Sequence, residues 1–380
     1  MFWGILFPSV SLRKIDQLTI TRIITSFLIL IFHYANQTFP FTIDPWWRIP
    51  IGGPYATSYF FVLSGFILTV VYLPKWKGKI DKVQFWVNRL SRFYPLYLAV
   101  FFLMVFLKLN EEGHTLSSGI LEGLLLQTWF WKNNMFHNPG WAMSVIAFAY
   151  IWFPFVMPWM QRKGLKFSTW LTIGVWLITQ AVMFFLYFNW GELGLSETFH
   201  PALYLPLLNT NTFLLGILTG LYFSRTDEEK IYNAKWNLLG LVFVVGLYVL
   251  FVFHRVDISN WLNSELLYNN GLIAPLYAAM IYFLASDTTV VARFLSNKWL
   301  VRFGELSFSV YLLQEAVERI YREYLLARIE YHFPWTKPIH FYIISALLIA
   351  ITFVVYHGFE KPLQKLIRRG YDKFAAASSR

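Results

Sequence analysis

Apolar runs of membrane length recur along the chain, separated by short polar and basic connections. A helix needs about 17–25 mostly apolar residues to cross a bilayer. Ten stretches reach that length: 18–39, 54–74, 93–109, 141–160, 168–188, 203–223, 237–254, 270–286, 304–325 and 339–357. A further apolar piece, 117–131, is short for a span and contains Glu122. The pattern predicts an all-α polytopic membrane protein of about ten transmembrane helices, with a short re-entrant or interfacial helix after the third span. No connection is long enough for an independent folded unit, so 1–380 reads as a single integral membrane domain. Residues 1–17 read as a cytoplasmic interfacial N-terminus, since their apolar residues precede Arg13 and Lys14 with no small-residue cleavage site. Residues 358–380 read as a basic cytoplasmic tail.

Lysine and arginine set the orientation of such a chain. The connections that begin with Arg13 and Lys14 and end with the tail hold 23 of the 32 basic residues, the opposite set holds eight, and Arg22 lies inside a span. The alternation is consistent only if 117–131 does not cross. A crossing there would put Arg162, Lys163 and Lys166 outside. Both termini are therefore expected in the cytoplasm.

Composition agrees with this reading. The chain is 57% hydrophobic, 20% aromatic and only 14% charged, with a mean hydropathy of +0.48, against about 25% charged in soluble domains. The net charge of +11 is spread in short clusters between apolar runs, which marks topology and not a nucleic-acid partner. There is no cysteine, which excludes disulfides, a thioester-forming cysteine and thiolate metal sites. The histidines show no metal-ligand spacing, and no metal is expected.

The first span carries a polar stripe. In "RIITSFLILIFH", Arg22 and His33 are eleven positions apart, which leaves them within about 20° of the same face and roughly 16 Å apart along the axis. Ser26 shares that face, and Asn36 and Gln37 extend it. Taken alone, the pair reads equally as a packed histidine and an arginine snorkelling to phosphates. A continuous stripe cannot face lipid, and it is what a substrate channel requires. Ser64 and Gly65 offer a close-approach surface in the second span. Arg89 and Arg92, three apart at the cytoplasmic entry of the third span, suit phosphate recognition through the guanidinium fork. Trp141 sits at an outer boundary with Ser144 just inside. Ser307, Tyr311, Gln314 and Glu315 form a second polar stripe.

Six stretches in order resemble the acyltransferase family 3 membrane proteins: the arginine–ten residues–histidine spacing at Arg22 and His33, "FFVLSGF" at 60–66, "NRLSRFYPLY" at 88–97, Trp141-x-x-Ser144, "GELSFSVYLL" at 304–313 and "EKP" at 360–362. The resemblance covers about 18–362. It implies a cell inner-membrane enzyme that moves an acyl group from cytoplasmic acetyl-CoA, or another acyl-CoA such as a succinyl or longer one, to a hydroxyl of an exopolysaccharide, lipid-linked glycan or other surface carbohydrate. His33 is then the general base, with Glu122 or Glu315 as its acid partner. Arg22 orients CoA or stabilises the charge on the thioester oxygen. Arg89, Arg92 and Ser64 complete the donor site, and Asn36, Trp141, Ser144, Tyr311 and Gln314 the acceptor site. The bilayer, a second copy of the chain and polysaccharide-assembly proteins are the further partners expected. Two departures stand out. Where members often carry a glutamate after the Trp-Ser-Leu-Ser stretch there is Ile146, with Ala142 at the first serine, and Gln314 replaces a frequent histidine. They leave a catalytically weakened scaffold as an alternative. A transporter of lipid-linked sugar is the other alternative, but no inverted repeat of broken helices is evident.

Overall fold

The computed structural model describes residues 15–35, 38–74, 81–130, 135–189, 204–226, 234–262, 271–326 and 339–378, and all regular structure among them is helical. In chain order the helices are α1 (Gln17–Tyr34), α2 (Arg48–Ile51), α3 (Gly53–Tyr72), α4 (Lys82–Leu107), α5 (Leu116–Gly123), α6 (Gly140–Lys163), α7 (Leu165–Phe188), α8 (Thr210–Arg225), α9 (Ala234–Leu262), α10 (Ala274–Ser286), α11 (Val290–Leu295), α12 (Lys298–Glu305), α13 (Ser307–Ile320), α14 (Ile339–Val355) and α15 (Lys361–Ser378). A π-helical turn, Tyr356–Glu360, joins α14 to α15, and another, Tyr321–Leu325, continues α13.

Seven helices among the described residues are long and apolar enough to cross a membrane: Gln17–Tyr34, Tyr55–Tyr72, Lys82–Leu107, Gly140–Lys163, Leu165–Leu186, Ala234–Trp261 and Ile339–Ala377. Each of the other three expected spans also holds a helix, but α8, α10 and α13 are shorter, at 16, 13 and 14 residues. The outward surfaces suit lipid. Phe102, Phe106, Ile151, Ile178, Phe243 and Val354 are all exposed, positions that water would penalise and a bilayer stabilises. The apolar 117–131 piece contains only α5, eight residues long and so about 12 Å, followed by a single 3₁₀ turn at Gln127–Trp129.

α1 is the hub of the packing, running against α3, α12 and α13. Two glycines from the sequence motifs make close crossings. A Cβ on Gly65 would lie 2.3 Å from the Phe213 carbonyl oxygen, and one on Gly216 would lie 2.0 Å from that of Val62, so α3 and α8 touch backbone to backbone. Gly304 plays the same part between α12 and α1, where a Cβ would meet the Thr19 oxygen at 2.3 Å. α4 begins well before the apolar run, because Asp81 caps it by accepting the Gln84 N–H at 3.0 Å. Those roughly three extra turns carry Arg89 and Arg92 on regular helix.

Candidate functional site

Five helices enclose a cavity of about 140 Å³. Arg22 enters it from α1, Thr57, Phe60 and Ser64 from α3, Arg89 and Arg92 from α4, Ala142, Ile146 and Tyr150 from α6, and Ser307 and Tyr311 from α13. All four residues expected in the donor site, Arg22, Arg89, Arg92 and Ser64, line this one space. The glycine that follows Ser64 faces away, into α8. The two therefore divide the work: Gly65 sets the helix distance, and Ser64 turns its hydroxyl to the cavity, 3.1 Å from the Tyr150 hydroxyl.

Arg22 makes no ion pair among the described residues. The charged and phenolic groups that bear on it are Arg92, Tyr150, Glu360 and Tyr356. Arg89 donates to the Tyr72 hydroxyl at 3.3 Å and lies over the Tyr72 ring, 5.3 Å from its centroid. The Arg89 Nε is buried without a partner. Three guanidiniums thus face one cavity with hydrogen-bonding capacity unspent, which suits an anionic ligand better than a closed structural network. Glu360, the carboxylate whose charge bears on Arg22, accepts from the Ser309 hydroxyl.

Ser26 connects this cavity to the α1 stripe. Its hydroxyl is buried and donates to the Ser307 carbonyl oxygen at 2.9 Å. The Ser307 hydroxyl, fully buried in the wall, has no partner. His33 stands apart. It lies three turns further along α1, has an exposed side chain and makes no hydrogen bond among the described residues; Glu315 is the charge that bears on it. Asn36 and Gln37 lie outside the described residues.

The two carboxylates expected near His33 are engaged elsewhere. Glu122 accepts the backbone N–H groups of Phe136 and His137, each at 2.8 Å. Burial pushes its carboxyl up to about 7, against the downward pull of those two amides. His137 is buried in turn, which pushes its imidazole down to about 4, and its Nε2 lies 2.9 Å from the Leu312 carbonyl oxygen. Glu315 pairs with Lys108 at 2.7 Å and also accepts from Asn138, through the backbone N–H at 2.7 Å and the side-chain amide at 2.8 Å.

Among the expected acceptor residues, Tyr311 lines the cavity and donates to the Pro139 carbonyl at 3.0 Å. Gln314 is buried and donates to the Tyr311 carbonyl at 3.0 Å, leaving its Oε1 without a partner. Trp141 packs edge-on to Phe61 and Tyr204, with ring centroids 5.9 and 5.0 Å apart. Ser144 is buried. It donates to the Leu125 carbonyl at 2.5 Å and accepts from Thr128 at 2.7 Å, pinning a turn in which Leu125 has φ of +61°. Ala142 and Ile146 give the cavity an apolar wall. Tyr150 and Ser307 also line the cavity with no motif assigning them to it, though Tyr150 follows Ile146 by one helical turn and Ser307 opens the second polar stripe.

A family model described as an acyltransferase domain matches residues 15–357. Among curated proteins, the chain is 24% identical to Putative O-acetyltransferase SACOL0978 of Staphylococcus aureus (strain COL), over 93% of this chain and 58% of that protein. It is 23% identical to O-acetyltransferase OatA of Staphylococcus aureus (strain NCTC 8325 / PS 47), over 85% of this chain and 54% of that protein. The chain spans about half the length of the curated relatives it matches. No solved structure matches it significantly.

Proposed function

The chain belongs to the acyltransferase domain family, and from that membership we propose that it is a membrane O-acyltransferase taking its acyl group from a cytoplasmic acyl-CoA, acetyl-CoA first among them, and delivering it to a surface-carbohydrate hydroxyl. The observation that carries the reading is the convergence of Arg22, Arg89, Arg92 and Ser64, from three separate helices, on one cavity. In this reading the arginines at the cytoplasmic end hold the nucleotide phosphates. The pantetheine arm runs between Ser64, Tyr150 and the unpartnered Ser307 hydroxyl towards the outer half of α1. The membrane arrangement that goes with it has ten crossings, both termini in the cytoplasm of an inner-membrane protein, and α5 as a re-entrant or interfacial helix on the outer side.

His33 is the group proposed to take the acceptor's proton. As the hydroxyl oxygen forms its bond to the thioester carbon, the proton passes to the imidazole and the C–S bond breaks. The proton then returns to the departing thiolate, giving CoA and the ester. Arg22 meets the charge that grows on the thioester oxygen. The exposure of His33 suits an acceptor arriving from outside. Both carboxylates already have partners, and Glu315 is the better candidate for the acid partner only because its charge reaches His33.

The test is label transfer from acetyl-CoA to a crude surface-glycan fraction, using membranes that carry the wild type or His33→Ala. We expect transfer by the wild type and a loss of about 10²–10⁴-fold in a normally folded variant, the usual contribution of a general base. Equal transfer by both would make His33 a packing residue. No transfer by either, with CoA still bound, would favour the scaffold reading.

A further inference from the structure

The family match ends at residue 357, but the helix does not. From Ile339 to Ala377 the chain is a single helical run, interrupted only by the π turn at Tyr356–Glu360. Its last part, α15, folds along α4. There Arg368 donates through Nη2 to the Asn88 carbonyl oxygen at 3.0 Å and through Nε to the Ser91 hydroxyl at 3.3 Å. Those two acceptors sit on the same turn of α4 as Arg89 and Arg92. The charges of both arginines bear on Arg368.

Three guanidiniums held together repel one another, and a fold does not gather them without compensation. Carboxylates in the neighbourhood offset only part of this. Asp372 lies one turn further along α15, and its charge reaches Arg368. Glu305 accepts from the Tyr356 hydroxyl at 2.7 Å and pairs with Lys361 at 3.4 Å. None of the three arginines has an ion pair with a carboxylate among the described residues. The two hydrogen bonds to α4 hold Arg368 through Nε and Nη2; among the described residues Nη1 makes no hydrogen bond, and the Arg89 Nε is also unpartnered.

We propose that Arg368, brought by the C-terminal helix against the turn that carries Arg89 and Arg92, is a further phosphate-binding residue that completes their cationic site for a polyphosphate anion. The inference rests on the acyl-CoA reading above, in which that anion is the nucleotide end of the donor. Phosphate at this site has a second source, the headgroup of an anionic lipid, and the experiment separates the two. The consequence is that the tail is part of the donor site, so that undocking α15 from α4 weakens donor binding.

The experiment measures CoA binding to the full chain in neutral-lipid nanodiscs, for the wild type, Arg368→Gln and Arg369→Gln. Arg369 is the exposed neighbour and loses the same charge. We expect Arg368→Gln to bind CoA on the order of tenfold more weakly, as befits loss of a charge-assisted hydrogen bond, with the difference shrinking as salt rises. Arg369→Gln should bind as the wild type does. Equal binding by Arg368→Gln and the wild type would overturn the proposal, as would equal weakening in both variants, which would indicate bulk charge. An effect of Arg368→Gln only in nanodiscs containing phosphatidylglycerol would assign the site to lipid and overturn it too. If the wild type itself binds no CoA, the acyl-CoA reading fails first.

Discussion

At the scale of single residues, glycines that are indistinguishable in sequence have opposite roles. Gly216 sits where a Cβ would be 2.0 Å from the Val62 oxygen, whereas a Cβ on Gly174 would meet nothing within 4 Å. Backbone cannot yield as a flexible side chain does, so Gly216→Ala must push α8 off α3. We expect it to destabilise by about 1–3 kcal/mol, the usual cost of overpacking, with less folded protein recovered. Gly174→Ala should be neutral or stabilising by up to about 1 kcal/mol, through better helix propensity. Thermal unfolding of both variants in detergent checks the pair, and equal behaviour would refute the backbone-contact account. The motif "LSG" announced a close approach at Gly65 but not its partner, because the facing glycine lies about 150 positions away. Ser144 shows the same limit. Its place after Trp141 was legible, while its hold on the Leu125 turn exists only once α5 and α6 meet.

At the scale of elements, hydropathy located the helices better than their ends. The third span was expected to begin at 93, yet α4 starts at Lys82, because a capped helix continues through the interface where hydropathy has already fallen. Helical phase likewise put Arg22, Ser26 and His33 on one face, but which part of that face meets a cavity depends on α3, α4, α6 and α13. The C-terminal end of α4 and the C-terminal half of α13 are joined by a pair that no local pattern reveals, Lys108 and Glu315, whose side chains are only 7% and 12% exposed. Removing one partner of a buried pair leaves an uncompensated charge and costs about 3–5 kcal/mol. Lys108→Met and Glu315→Leu should therefore each lower the unfolding midpoint strongly. The double variant should lose clearly less than the sum of the two, which a double-mutant cycle measures directly. Additive losses would mean that the pair is not coupled, and that Asn138 alone holds Glu315.

At the scale of the whole molecule, the membrane path turns on the segment between α4 and α6. In the proposed path the chain leaves α4 and enters α6 on the same side, which a helix α5 of about 12 Å suits. Exposed Glu112, after α4, and exposed Lys163, at the far end of α6, then lie on opposite faces of the bilayer. The absence of cysteine makes this measurable, since Glu112→Cys and Lys163→Cys each introduce the sole thiol of the chain. Labelled with a membrane-impermeant maleimide, intact spheroplasts should react at position 112 and not at 163, and inverted vesicles at 163 and not at 112. That result places the basic residues Arg162 and Lys163 in the cytoplasm together with Arg89 and Arg92, and so puts the donor cavity on the side where acyl-CoA is made. The opposite pattern would turn α4 and α6 over, and the arginine mouth would open outward. Label at both positions from one side would mean that the chain crosses between them an even number of times, which requires 117–131 to span. The first outcome would invert the ten-crossing path and end the delivery of a cytoplasmic acyl group to an outer acceptor at His33, and the second would replace ten crossings with eleven.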